Sequence, residues 1–193
     1  MNMHAHGYAE LMAAARTPGD PATLAFAGVI ALAPQRAAPY DVPIAGLDGA
    51  ALQALAAHIF PRLKGPLVAL ACGVTGQSRF DEFDDLLALL LDHRSCMDQQ
   101  SRWLAHALAT AVMGDNHLWQ DLGLPGRGAL SWLMRSYFTS LAQLNSGDMK
   151  WKKFFYRQLC EREGLTLCRS PSCGVCSDYR QCFGSEQALA VER

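Results

Sequence analysis

The chain has 193 residues, half of them apolar, with 17 Lys and Arg against 18 Asp and Glu and a formal net charge of -1. That length and apolar content suffice for one substantial core and give no reason to expect a second full-sized domain. Near-balanced charge excludes the broad basic footprint of a nucleic-acid or polybasic membrane binder, so neither partner is expected.

Apolar residues recur at three- and four-residue spacing and β-branched residues are scarce, which predicts an all-α fold, a compact multi-helix bundle. In chain order the expected helices cover residues 8–16, 22–33, 48–60, 80–94, 98–113, 127–145 and 149–163, separated by Gly- and Pro-bearing breaks at Thr17–Pro21, Pro34–Pro43, Pro61–Pro66 and Gly73–Ser78. The apolar run from Leu24 to Ala33 is preceded by one positive charge, Arg16, and by Asp20, so it reads as a buried helix and not a targeting signal. No run approaches the length of a membrane span. Gly73–Ser78 superficially suggests a phosphate loop but lacks the Gly-Lys-Ser/Thr ending, which leaves it a connector.

Two helices carry terminal signals. Ser78 and Asp81 form an expected capping pair, followed by Glu82, Asp84 and Asp85, whose charges suit a helix start better than an acid/base or metal site. For residues 149–163, Asp148 is the expected N-cap and Gly164 the left-handed stop, with Trp151, Phe154, Phe155 and Leu159 as an apolar docking stripe. Lys150, Lys153 and Arg157 lie on another face. A basic stripe is ordinarily a solvated surface, but this one leads into a cysteine cluster, where it is also suited to offset a negative cluster or attract an oxyanion.

Four of the seven cysteines crowd near the C-terminus as Cys168, Cys173, Cys176 and Cys182, with spacing C-x4-C-x2-C-x5-C. Clustering of this kind points to metal ligands and a reducing, cytoplasmic setting, not to a disulfide framework. The expected organisation is a helical domain over 1–167, an irregular C-terminal cysteine-rich metal-binding loop over 168–184, and a tail over 185–193. Between Cys168 and Cys182, Val175 and Tyr179 are the sizeable apolar residues, so bound metal has to supply the organising free energy. Thiolates favour iron–sulfur clusters, zinc and copper(I). A zinc ribbon needs two C-x2-C knuckles and this run has one. The first three cysteines share the spacing of plant-type ferredoxins, although the fourth follows much sooner. Chemistry alone thus leans toward iron–sulfur and leaves zinc open.

Three segments together, MGDNHLWQDLGL from Met113, DMKWKKFFYRQLC from Asp148 to Cys160, and the cysteine run ending in Cys182-Phe-Gly, resemble the NifQ family. The resemblance is close over residues 113–184 and looser before them. It implies a carrier for nitrogenase cofactor synthesis that holds a molybdenum–iron–sulfur cluster on Cys168, Cys173, Cys176 and Cys182. Molybdate would be the metal source, and the nitrogenase iron protein and the iron–molybdenum cofactor scaffold the partners. It implies a metallochaperone and not an enzyme, and the chain is expected to be monomeric. The alternatives are a structural zinc-binding interaction module and an iron–sulfur redox or regulatory protein.

Two further residues are candidates for the site. Cys160, on the amphipathic helix, is placed to act as a spare thiol, but free cysteines are among the most buried residues and core packing is the expected role, as for Cys72 and Cys96. His117 is a secondary candidate nitrogen ligand, although a single histidine beside a helix end ordinarily serves as hydrogen-bonded structure. His4 and His6 are adventitious binders at most, and His58, His93 and His106 have no visible partners in sequence.

Overall fold

The structure, a computed structural model, describes residues 3–64, 81–165, 176 and 179–186. Its ten α-helices among these residues are α1 (Met3–Ala14), α2 (Pro21–Ala31), α3 (Gly49–Ile59), α4 (Asp81–Asp92), α5 (Gln99–Val112), α6 (Leu118–Asp121), α7 (Arg127–Tyr137), α8 (Thr139–Leu144), α9 (Trp151–Arg162) and α10 (Tyr179–Phe183), with one 3-10 turn at Ala33–Gln35. No strand occurs among the described residues, as the sequence predicts. None of these helices is long and apolar enough to cross a membrane. The Gly73–Ser78 connector, the Ser78 cap, Cys72, Cys168 and Cys173 lie outside the described residues, as does most of the 185–193 tail.

Two helices are buried nearly all round and make the centre. Pro21 opens α2, where a missing N–H costs nothing, and the Asp20 carboxylate accepts from Ala22 N at 3.3 Å. Its residues Ala22, Ala25, Phe26, Ala27 and Val29 are fully buried, as expected of the Leu24–Ala33 run. Helices α1, α5 and α7 pack around α2; α4 and α6 pack on α5, and α9 reaches the bundle through α4. In α5, capped by Asp98 on Ser101 N at 2.7 Å, every residue from Trp103 to Val112 is buried. Its buried Thr110 is satisfied on both sides: Oγ1 donates to the His106 carbonyl at 2.7 Å and accepts from Ala45 N at 2.9 Å.

Several expectations are corrected. The helix foreseen over 127–145 is two helices, broken at Phe138, which takes φ -139° and ψ 54° and is fully buried. Ser95 supplies the hydrogen bonds the break removes, its N donating to the Tyr137 carbonyl at 2.8 Å and its Oγ accepting from Thr139 N at 3.0 Å. Asp148 is not the cap of α9. It adopts φ 55°, and its carboxylate faces Arg127 at 2.7 Å, leaving Lys150 at the cap position. Asn145 bridges that turn, accepting from Met149 N and donating to the Met149 carbonyl, each at 2.9 Å. Cys96 is exposed and Cys160 only half-buried, so neither is the core residue expected. Cys96 sits in the short link between α4 and α5, where its carbonyl accepts from Ser101 Oγ.

Candidate metal centre

Helix α9 positions one side of the site. Trp151, Phe154 and Phe155 are buried with ring centroids 5.6 to 6.0 Å apart, so the docking stripe is formed as foreseen. The helix ends at Gly164 with φ 69°, the left-handed stop expected there, and Leu165 N donates back to the Cys160 carbonyl at 2.8 Å. The opposite end of α9 receives the last cysteine: Lys150 N donates to the Cys182 carbonyl at 2.8 Å. Lys150 Nζ also reaches the Arg180 carbonyl at 3.4 Å.

Cys176 and Cys182, the two described members of the cysteine run, are both half-buried free thiols. The Cys176 carbonyl accepts from Tyr179 N at 3.3 Å at the start of α10. Along that one-turn helix the Tyr179 and Phe183 rings stack at 4.6 Å, and the Cys182 and Phe183 side chains pack against the core. The segment expected to be wholly irregular therefore contains a helical turn that carries its fourth cysteine.

Beyond α10 the chain is tied down by charge. Glu186, 7% exposed, meets Arg127 Nη1 at 2.6 Å, and Arg127 Nη2 donates to the Asp148 carboxylate at 2.7 Å and to the Asp148 and Met149 carbonyls at 2.8 and 3.1 Å. Burial opposes the Arg127 charge, but the Asp148 hydrogen bond and the attraction of Glu186 and Asp148 outweigh it and hold the guanidinium above its ordinary range. His117 Nδ1 lies 3.9 Å from the same Glu186 oxygen. The His117 backbone is fixed at the head of α6, its N donating to Gln120 Oε1 at 3.1 Å.

A second ion pair links this region to α9 and was not visible in sequence. Lys152 Nζ donates to the buried Asp121 carboxylate and to the Gly114 carbonyl at 2.6 Å; Asn116 N and Nδ2 donate to Asp121 at 3.1 and 3.0 Å. A Cβ on Gly114 would fall 2.6 Å from the Asp121 carboxylate, so the turn requires glycine there. In sequence Lys152 is indistinguishable from the surface lysines on either side of it, Lys150 and Lys153. On the basic stripe Lys153 and Arg157 are exposed, but Arg157 pairs with Glu161 at 2.7 Å. Beside the same turn a cavity of about 190 Å³ is lined by Arg36, Met113, Gly114, Asn116 and Gln120 among others. Arg36 is lowered to about 10 by burial, which Asp121 and Asp41 oppose, and so stays charged at neutral pH.

The structure thus brings Cys182, Glu186, Arg127 and His117 to one side of the bundle, with Cys176 leading into α10. Among the described residues no group of three or more His, Cys, Asp or Glu side chains surrounds a metal position. Two soft thiol donors at the core's edge are nonetheless chemically suited to an iron–sulfur cargo.

Comparison with known proteins covers most of the chain. The NifQ family profile matches residues 25–184. Protein NifQ of Azotobacter vinelandii is 43% identical over 143 residues, 74% of this chain and 69% of that protein. Protein NifQ of Rhodobacter capsulatus is 38% identical over 141 residues, 73% of this chain and 76% of that protein, and Protein NifQ of Klebsiella pneumoniae is 46% identical over 88 residues, 45% of this chain and 53% of that protein. No solved structure matches. The family profile takes in α2 from Ala25 onward, the Gly114–Asn116 turn with α6, α9 and all four clustered cysteines, and the chain belongs to the NifQ family.

Proposed function

We propose that this protein is a cytoplasmic molybdenum carrier for nitrogen fixation, a metallochaperone and not an enzyme. Its cargo is a molybdenum–iron–sulfur cluster held by Cys168, Cys173, Cys176 and Cys182, loaded from molybdate and passed to the iron–molybdenum cofactor scaffold in concert with the nitrogenase iron protein. The observation that carries the reading is the unbroken four-cysteine run lying inside the family match. Supporting it, Cys176 and Cys182 are half-buried, neither sealed in the core nor fully in water, which suits a thiolate that must hold a cluster and later release it. Anchoring of α10 through Lys150 N and Glu186 gives the fourth ligand a fixed backbone. Cluster chemistry stays with the metals; the chain binds and orients them.

The experiment is iron, acid-labile sulfide, molybdenum and zinc content of anaerobically purified full-length protein, with its visible spectrum, repeated for Cys→Ala at each of the four positions. The expected result is iron, sulfide and molybdenum together in the wild type and lower cluster content in each variant, with unchanged helical circular dichroism. Stoichiometric zinc without sulfide, after reconstitution has excluded metal substitution during expression, would replace this reading by the structural zinc module. Iron and sulfide that never take up molybdenum would replace it by the redox or regulatory protein.

A further inference from the structure

The chain from Tyr179 to Glu186 lies across the heads of α7 and α9 and is fastened at its middle and at its far end. In the middle, Lys150 N donates to the Cys182 carbonyl at 2.8 Å, and Phe183 lies over Gly147, where an added Cβ would touch its ring at 3.6 Å. At the far end the Glu186 carboxylate enters the bundle and meets Arg127, the first residue of α7, at 2.6 Å. Between the two fastenings the chain turns at Gly184, whose N donates to the Arg180 carbonyl at 2.8 Å. A Cβ on Gly184 would fall 2.3 Å from that oxygen, so the turn admits no side chain.

The far fastening is balanced between two states. Arg127 is one cation facing two carboxylates, Glu186 Oε1 at 2.6 Å and Asp148 Oδ1 at 2.7 Å. Glu186 is buried, and its Oε2 has no hydrogen-bond partner among the described residues, so docking leaves half of a charged group unsatisfied. His117 Nδ1, 3.9 Å from Oε1, is beyond hydrogen-bond distance and does not supply the missing donor. The Asp148 side chain, by contrast, is 74% exposed and keeps most of its hydration while paired. When Glu186 leaves, its carboxylate regains water, and Arg127 keeps Asp148 together with the Asp148 and Met149 carbonyls. Breaking an ordinary buried pair strands a charge; breaking this one does not.

We propose that residues 179–186 form a detachable strap, latched by Arg127 and Glu186, that governs access to the Cys182 thiol. Latched, Cys182 is half-buried with its side chain against the core. Unlatched, its carbonyl leaves Lys150 N and its thiol turns into water. Asp148 competes with Glu186 for Arg127 and sets the balance. The device needs no bound metal and stands apart from the carrier reading; on that reading it gives Cys182 one position for holding and another for release.

The test uses the full-length, metal-free protein, kept reduced without oxygen, and reads two rates. One is iodoacetamide alkylation of Cys182, resolved by peptide mass spectrometry with exposed Cys96 as internal reference. The other is hydrogen exchange of the Lys150 amide by NMR, with the Phe154 amide one turn into α9 as its reference. Wild-type Lys150 should exchange faster than Phe154 and independently of dilute urea, the mark of a local opening. Glu186→Ala and Gly184→Ala should each raise both rates at least about tenfold with the references unchanged, and Glu186→Gln should fall between. Asp148→Asn, which suits the left-handed backbone at that position, should slow both rates several-fold because Arg127 is left to Glu186 alone. Should the alanine variants fail to fold, Glu186→Gln, Asp148→Asn and the wild-type exchange decide the matter. Unchanged rates in the Glu186 variants, faster rates in Asp148→Asn, references that rise in step with Cys182 and Lys150, or Lys150 exchange that tracks global unfolding overturns the strap.

Discussion

Lys152 and Asp121 form a largely buried ion pair that joins α9 to the last residue of α6, with their side chains 18% and 9% exposed. It binds together two of the three segments by which the sequence resembles its family. Removing one partner strands a buried charge, which is far costlier than the pair is stabilising. Lys152→Met should therefore lower unfolding free energy by about 3 kcal/mol in urea titrations. A change under about 0.5 kcal/mol would show the pair to be no more than a surface contact.

Gly28 and Gly128 both lie in helices but should respond oppositely to alanine. A Cβ on Gly28 would sit 2.0 Å from the Leu122 carbonyl oxygen and 2.7 Å from Gly123 Cα, and neither is a flexible side chain. Gly28→Ala should destabilise by more than about 3 kcal/mol or prevent folding, as overpacking of fixed backbone does at its worst. Gly128 has nothing within 4 Å, and Gly128→Ala should stabilise by about 0.5–1 kcal/mol through helix propensity and a less disordered unfolded chain. Equal thermal shifts for the two variants would contradict this account.

Tyr137 predicts an alkaline weakness. Burial, then its hydrogen bond and nearness to Asp20, raise the phenol well above the usual tyrosine range. An unfolded Tyr137 loses its proton near pH 10 while the folded one keeps it, so stability present below pH 10 is lost as pH rises further. Wild type should lose stability more steeply above pH 10 than Tyr137→Phe. The difference should be below the limit of about 1.4 kcal/mol per pH unit for one proton, because water screens this partly exposed group. Parallel pH profiles would remove Tyr137 from the explanation.

The basic face of α9 should divide by residue. Arg157 is neutralised by Glu161, whereas Lys153 is exposed and has no ion pair among the described residues, and Lys150 extends along α10. If this face attracts molybdate or an acidic partner, Lys150→Gln with Lys153→Gln should slow loading or delivery several-fold at low salt, and the effect should shrink as salt screens it. Arg157→Gln should change little. Unchanged low-salt kinetics in the double variant would leave the stripe a solvated face.

The legible parts of the fold were those decided locally. The Leu24–Ala33 run had no polar face, so a central helix was its sole comfortable state, and the α9 stripe with its glycine stop was written in consecutive residues. What escaped was settled by distant partners. No Pro or Gly announces the break at Phe138; Ser95, more than forty residues earlier, makes it tolerable. Asp148 looked like a cap until Arg127, twenty-one residues back, claimed its carboxylate. Of the candidate site, residue types were readable and pairings were not: His117 stood out, but nothing in its neighbourhood pointed to Glu186. A lysine between buried aromatics, as Lys152 is, was the available sign of an internal counter-charge.

The contact between Gly28 and Gly123 also says which sequences can share this architecture. Gly123 has φ 63°, and a Cβ on it would meet Gly28 Cα at 2.6 Å, so neither position has a smaller residue to retreat to and no change at one can compensate a change at the other. Drift through homologous sequences that keep α2 against the turn after α6 must therefore leave both glycines in place, whereas Gly126 and Gly128, facing open space, are free to vary. The pair is a signature written in backbone contact, independent of any cysteine.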